Sequence, residues 1–400
     1  MTVLLWLILL AAALPLAAVA ELCARWWVRH RTHYYVLPPG MRLRLRPDPE
    51  VFPELEKLVR FDVNGEGERA DEVPRSGKLC RMLVLGGSQP EGYLLDQDTS
   101  WPGALHRLLQ APERLEALQA ERVHVGNIAR SGVGSEGLDL ILARVLPRYP
   151  HLQLIIILVG ASDVLRWLEV GAPPSPPPTV QTSEVFRCHP EMSFGWRIKA
   201  LALTELARRW RTCCLRPTQF HDRACKWIGR ARAMRAGARE TRTMMPDPSA
   251  MLAHFDVHFR SALRRAQAQA DRVMVVHQPW FAPRTPEEIA HMWHGSVGKA
   301  WQEEVTTFYS LEVLARLMAL LDAKAGRIAQ ELGVEQLDVS PVLVNGLETY
   351  YDSFHATPAG ARAVAGAVVK AILRQPTASA HPARAVDLAD VDSIEYEKVS

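Results

Sequence analysis

The chain has 400 residues, 48% hydrophobic and 23% charged, which suits one sizeable core with additions. A net charge of only +3 excludes a nucleic-acid role carried by overall charge. Six cysteines without a C-x-x-C pair exclude a disulfide-dense scaffold, a zinc ribbon and a redox dithiol motif. Cys188, Cys213, Cys214 and Cys225 could bridge in an exported domain; the plain alternative is small buried hydrophobes.

Residues 2–20 carry no charge and are rich in Leu and Ala. At about 1.5 Å per helical residue the run just spans a hydrocarbon core. The expectation is a single-pass anchor within 1–22, with a cleaved signal as the competitor because Ala18-Val19-Ala20 resembles an A-x-A site. The missing basic n-region and the length of the run favour the anchor. Arg25, Arg29 and Arg31 follow the run and nothing basic precedes it, which alone keeps the domain inside. The export-like character of the run argues for an extracytoplasmic domain, and that side is the expectation. Residues 23–78 read as a juxtamembrane arm, with Trp26, Trp27, Tyr34 and Tyr35 suited to an interface and Pro38, Pro39, Gly40 and Pro47 breaking any long helix.

From 79 to 375 the pattern is α/β. Apolar runs at 82–85, 123–125, 154–159, 273–276 and 336–339 predict buried strands. Helical periodicity at 101–109, 138–145, 251–270 and 311–332 alternates with them, which predicts a parallel sheet covered on both faces. Ligands of such sheets sit beyond the carboxyl ends of the strands. A proline-rich loop at 173–178 and a basic stretch at 192–245 form an insertion over 172–248. Between 197 and 242 there are 13 Lys or Arg against 3 acids, read either as a solvated helical face or as a contact for anionic headgroups or an acidic polymer. Residues 376–400 read as a disordered tail.

Four strand-end motifs carry chemistry. Gly86-Gly87-Ser88 ends the first run, and a tight turn there lifts a serine above the strand with backbone N–H groups beside it. Asn127 to Gly132 ends the second run, and Gly160-Ala161-Ser162-Asp163 ends the third. Near the end of the chain, Asp352 and His355 stand three apart, so the carboxylate can orient the imidazole.

These blocks, in this order, resemble the SGNH (GDSL-like) hydrolases, over about residues 80–372. The front, with Glu21, Leu22 and Arg25, then Asn64, Gly65, Gly67 and Arg69, is similar to membrane-anchored bacterial members. The resemblance implies a three-layer α/β/α, flavodoxin-like fold with a parallel sheet. It implies Ser88 as nucleophile, Asp352 and His355 as its partners, and an oxyanion hole of Ser88, Gly132 and Ser162. Gly87 departs from the common Asp, and Ser162 from the expected Asn, whose amide is a longer donor. The expected function is hydrolysis of an ester, such as an O-acetyl group on a cell-surface glycan or a lipid, through an acyl-enzyme. Transfer of the acyl group to another hydroxyl and a non-catalytic glycan- or membrane-binding role are the alternatives. No cofactor, metal or nucleic acid is implied.

Three competing signals are weaker. Gly132 to Gly137 matches G-x-G-x-x-G with Asp163 beyond it, but five residues separate Gly126 from Gly132, too far for a dinucleotide turn. His291 and His294 stand three apart and could share a helix face, but a metal site would need further ligands, and they read as surface or packing histidines. Trp280, Trp293 and Trp301 read as packing residues or as a sugar-stacking set.

Overall fold

The computed structural model describes residues 2–214, 218–221, 223–344 and 346–374; the side chains of 2–12, 212–214, 218–221 and 223 are not described. The tail expected over 376–400 lies outside the described residues.

Five parallel strands build the main sheet: β1 (Leu79–Gly86), β2 (Arg122–Asn127), β3 (Leu152–Leu158), β4 (Ala270–Val276) and β5 (Glu335–Leu337). Their order across the sheet is β5-β4-β3-β1-β2, which is the flavodoxin-like doubly wound order. Successive residues of a strand face opposite sides, so the central strands feed two cores. Leu83 and Leu85 of β1, Ile155 and Ile157 of β3 and Val273 and Val275 of β4 pack with α4 (Ser135–Val145), α5 (Ala161–Glu169), α8 (Ser249–Gln269) and α9 (Leu311–Glu331). Met82, Val84, Leu154, Ile156, Met274 and Val276 face α3 (Trp101–Leu109) and α10 (Pro358–Leu373). Burial on both faces is why these strands read as unbroken apolar runs.

The segment expected as an arm is integral to this core. Val36, Leu37, Phe61 and Val63 enter one core cluster, and Phe52 and Leu55 the other. Arg42–Arg46 forms a strand that pairs antiparallel with Val59–Asp62 and parallel with Thr218–His221, so the insertion and the arm share a sheet. The sequence reading missed this strand although Arg-Leu-Arg-Leu-Arg alternates with period two.

The first helix, α1 (Thr2–Arg31), runs beyond the apolar stretch. The side chains of 2–12 lie outside the described set, and among the described residues no helix is long and apolar enough to cross a membrane. The far end of α1 is docked on α6 (Ala202–Cys214) of the insertion. Buried Glu21 accepts the Ala202 and Leu203 N–H groups at 2.8 and 3.1 Å and the Arg25 Nε at 2.7 Å. A carboxylate satisfying the free N–H groups of a helix start is favourable for both hydrogen bonding and dipole. Cys188 and Cys225 are buried, and the side chains of Cys213 and Cys214 lie outside the described set.

Candidate active site

The end of β1 comes very close to its neighbour. At Gly86, φ is +149°, and a Cβ would lie 1.8 Å from the Leu158 carbonyl oxygen, so only glycine fits. The Gly87 N–H then donates to that carbonyl at 3.2 Å, and Ser88 opens the single-turn helix α2 (Ser88–Glu91).

This short helix would be marginal by itself; neighbouring side chains hold it. Buried Arg69 donates to the carbonyl of Glu91, to Gly92 at 2.9 Å and to Leu95 at 2.6 Å. Asn127, at the end of β2, donates its amide to the Pro90 carbonyl at 2.7 Å. The Glu91 carboxylate accepts the Ser131 N–H at 2.8 Å and the Ser131 hydroxyl. The helix bearing Ser88 is thereby tied to the loop bearing Gly132.

The Asp352–His355 loop closes on itself and lies over Ser88. Oδ1 of Asp352 accepts the backbone N–H groups of Phe354 and His355, each at 2.9 Å. Its two oxygens lie 2.9 and 2.8 Å from His355 Nδ1. With Nδ1–H directed to the carboxylate, Nε2 is free to accept, and it lies 2.7 Å from Ser88 Oγ. The structure thus brings Ser88, His355 and Asp352 into one hydrogen-bonded chain. Asp352 is fully buried. Burial would push its carboxyl up, but the His355 imidazole and the hydrogen bonds outweigh this and hold it well below the usual carboxylate range.

Gly132 has φ +77° with nothing within 4 Å of a built Cβ, so its face is open. Ser162 Oγ lies 3.4 Å from where a Gly87 Cβ would be, beside the Ser88 turn. Among the described residues, the Ser88 and Gly132 N–H groups and the Ser162 hydroxyl have no hydrogen-bond partner. Three donors at one rim are therefore unspent.

Sequence reasoning missed Trp293 as part of this assembly. Its indole N–H donates to Asp352 Oδ2 at 3.0 Å. His294 stacks on Trp293 with centroids 3.6 Å apart and lies 5.9 Å from the His355 ring. Burial drives the His294 imidazole down to about 3, so it is neutral. Tyr351 stacks on His355 at 5.4 Å. The insertion also reaches this loop: Arg232 of α7 (Arg223–Ala236) donates to the carbonyls of Val51, His291 and Tyr351 at 2.5, 3.1 and 2.9 Å, and Arg235 to those of His294 and Tyr309 at 2.5 and 3.0 Å. Two cations of the expected solvated or lipid-facing stretch are therefore spent on carbonyl oxygens in and around the site. Chain spacing gave no sign of either contact.

Next to the loop lies a cleft of about 230 Å³ lined by Trp280, Phe281, Leu314, Met318, Ser353 and Phe354 among others. The nucleotide alternative loses its phosphate position. Asp163 accepts the Ser135 N–H and hydroxyl at 3.0 and 2.6 Å, filling the α4 start.

No protein-family model matches the chain, and no curated protein does. Among solved structures, it is similar to the acetylxylan esterase Axe2 from Geobacillus stearothermophilus, at 13% identity and TM-score 0.39, covering 76% of this chain and 98% of that one. It is also similar to a member of the lipolytic protein G-D-S-L family from Veillonella parvula DSM 2008, at 9% identity and TM-score 0.39, covering 74% and 100%. At such identity the case for chemistry lies in the site itself.

Proposed function

We propose that this protein is a serine acylhydrolase acting on esters, with Ser88 as nucleophile. The supporting observation is the continuous chain from Ser88 Oγ through His355 to buried Asp352. His355 takes the Ser88 proton as Oγ attacks the ester carbonyl, and Asp352 stabilises the imidazolium that forms. The oxyanion is received by the Ser88 and Gly132 N–H groups, with the Ser162 hydroxyl as third donor. His355 returns the proton to the leaving alcohol, and water repeats the sequence on the acyl-enzyme. Another hydroxyl in place of that water gives acyl transfer by the same steps.

The ester is an O-acetyl group on a glycan or a lipid; the cleft beside Phe354 adjoins the Asp352–His355 loop without including Ser88 or His355 in its lining, so it does not choose between them. A membrane-side location fits the exposed aromatics near the α1–α6 contact: Trp26, Trp196 and Trp210 are 57%, 64% and 61% exposed, with Arg29, Arg31, Arg208 and Arg211 on the same two helices. Such residues suit a headgroup region, with the 2–20 run as anchor; the extracytoplasmic side rests on the export-like character of that run, against the basic flank.

Fluorophosphonate labelling of the folded chain tests the reading. Wild type is expected to label at Ser88 and S88A to remain unlabelled; a folded wild type that does not label overturns it. A scan of p-nitrophenyl esters of increasing acyl length separates the lipid-like from the acetyl substrate.

A further inference from the structure

Away from the Ser88 site, α4 and α8 pack side by side and set two imidazoles against a carboxylate. His254 and His258 are one turn apart on α8, so they share a face. Glu136, in the first turn of α4, faces them. One donor atom from each of the three lies within 4.8 Å of the other two.

The groups are held as ligands are held. Glu136 Oε1 accepts the Val180 N–H at 3.1 Å, which fixes the carboxylate. The other oxygen, Oε2, is buried, and its one near polar neighbour is His254 Nε2 at 3.3 Å, a contact too poor to satisfy it as a hydrogen bond. The two imidazoles are in ring contact at 4.5 Å, an arrangement that protonation of both would disfavour. Burial and His258 hold His254 below the usual imidazole range, leaving a lone pair available. Behind His258, Asp139 Oδ2 stands 3.7 Å from Nδ1, and Asp139 is anchored by the Ser261 hydroxyl and Arg265, both at 2.8 Å. A carboxylate backing a ligand histidine is the usual outer support of a metal site. The Glu136 and His254 side chains are 13% and 16% exposed, so an ion can reach them.

We propose that Glu136, His254 and His258 bind a divalent transition-metal ion, zinc in particular. Two imidazole nitrogens and one carboxylate oxygen are a tetrahedral zinc donor set with one position left for water. The bound ion would join α4, which follows the Gly132 loop, to α8, and through Glu136 to the backbone at Val180 beyond the proline-rich loop.

The test uses the untagged full chain stripped with EDTA. Zinc titration by calorimetry is expected to show one high-affinity equivalent and a rise in melting temperature, and cobalt(II) substitution the visible bands of a tetrahedral nitrogen–oxygen site. H254A, H258A and E136Q are each expected to weaken zinc at least as much as the roughly 10–100-fold that loss of an outer support costs. Their melting temperatures in EDTA should match wild type. If an alanine variant fails to fold, H258Q, which keeps volume and polarity, is read the same way. H355A should keep the zinc, separating this site from the His294, Asp352 and His355 cluster. No zinc binding by wild type, or equal binding by the folded His254 and His258 variants, overturns the proposal.

Discussion

Trp293 donates its indole N–H to Asp352 Oδ2 at 3.0 Å, the same oxygen that lies 2.8 Å from His355 Nδ1. The aspartate is thus oriented by a side chain 59 residues away as well as by its own loop. W293F keeps an aromatic ring against His294 and removes the donor, together with part of the ring that packs on Trp227. A hydrogen bond to a charged group contributes about 1.5–3 kcal/mol, so kcat/KM on p-nitrophenyl acetate should fall by roughly 10–100-fold. The loss should be smaller than the roughly 10⁴-fold expected of D352N, which leaves the imidazole in the wrong tautomer. A change confined to KM would count against this positioning role.

Ser162 offers a short donor where a longer amide was expected. S162A should lower kcat with little effect on KM, because an oxyanion donor acts on the transition state. Loss of one such donor costs up to roughly 10²–10³-fold. An unchanged kcat would mean that the Ser88 and Gly132 N–H groups suffice.

His294 gives the protein an acid-side liability. Its folded value, about 3, lies below the unfolded value of about 6.5. Between these values the unfolded chain binds a proton that the folded chain does not, so stability falls as pH drops from about 6.5 toward 3. The slope from this group is at most about 1.4 kcal/mol per pH unit. H294L, beside Trp293 and Phe354, should flatten the denaturant-midpoint profile in that window while leaving it parallel to wild type above pH 7. An identical slope in the variant would refute the assignment.

The sheet was legible because strands buried on both faces leave no polar residues to blur their runs; 82–85, 154–159 and 273–276 all fell inside observed strands or within one residue of them. The rim followed from the sheet, since Ser88, Gly132 and Ser162 each stand just past a strand end. What escaped was long-range pairing. An indole looks alike in sequence whether it packs or donates, so Trp293 carried no mark of Asp352. Arg232 and Arg235 sat in a run whose charge pointed to solvent, yet guanidinium groups satisfied by carbonyl oxygens can lie inside. The Glu136, His254 and His258 cluster was invisible for the same reason, its members coming from helices far apart in the chain.

The reach of Arg232 bears on how the protein can change. Helix α7 belongs to what the sequence presents as an ornament on an α/β core, yet its guanidinium is the shared clasp for backbone at Val51, His291 and Tyr351. Pruning the ornament to obtain a minimal enzyme would unfasten three chain segments at once, one of them immediately before Asp352. A redesign must therefore treat the insertion and the loop it grips as one unit.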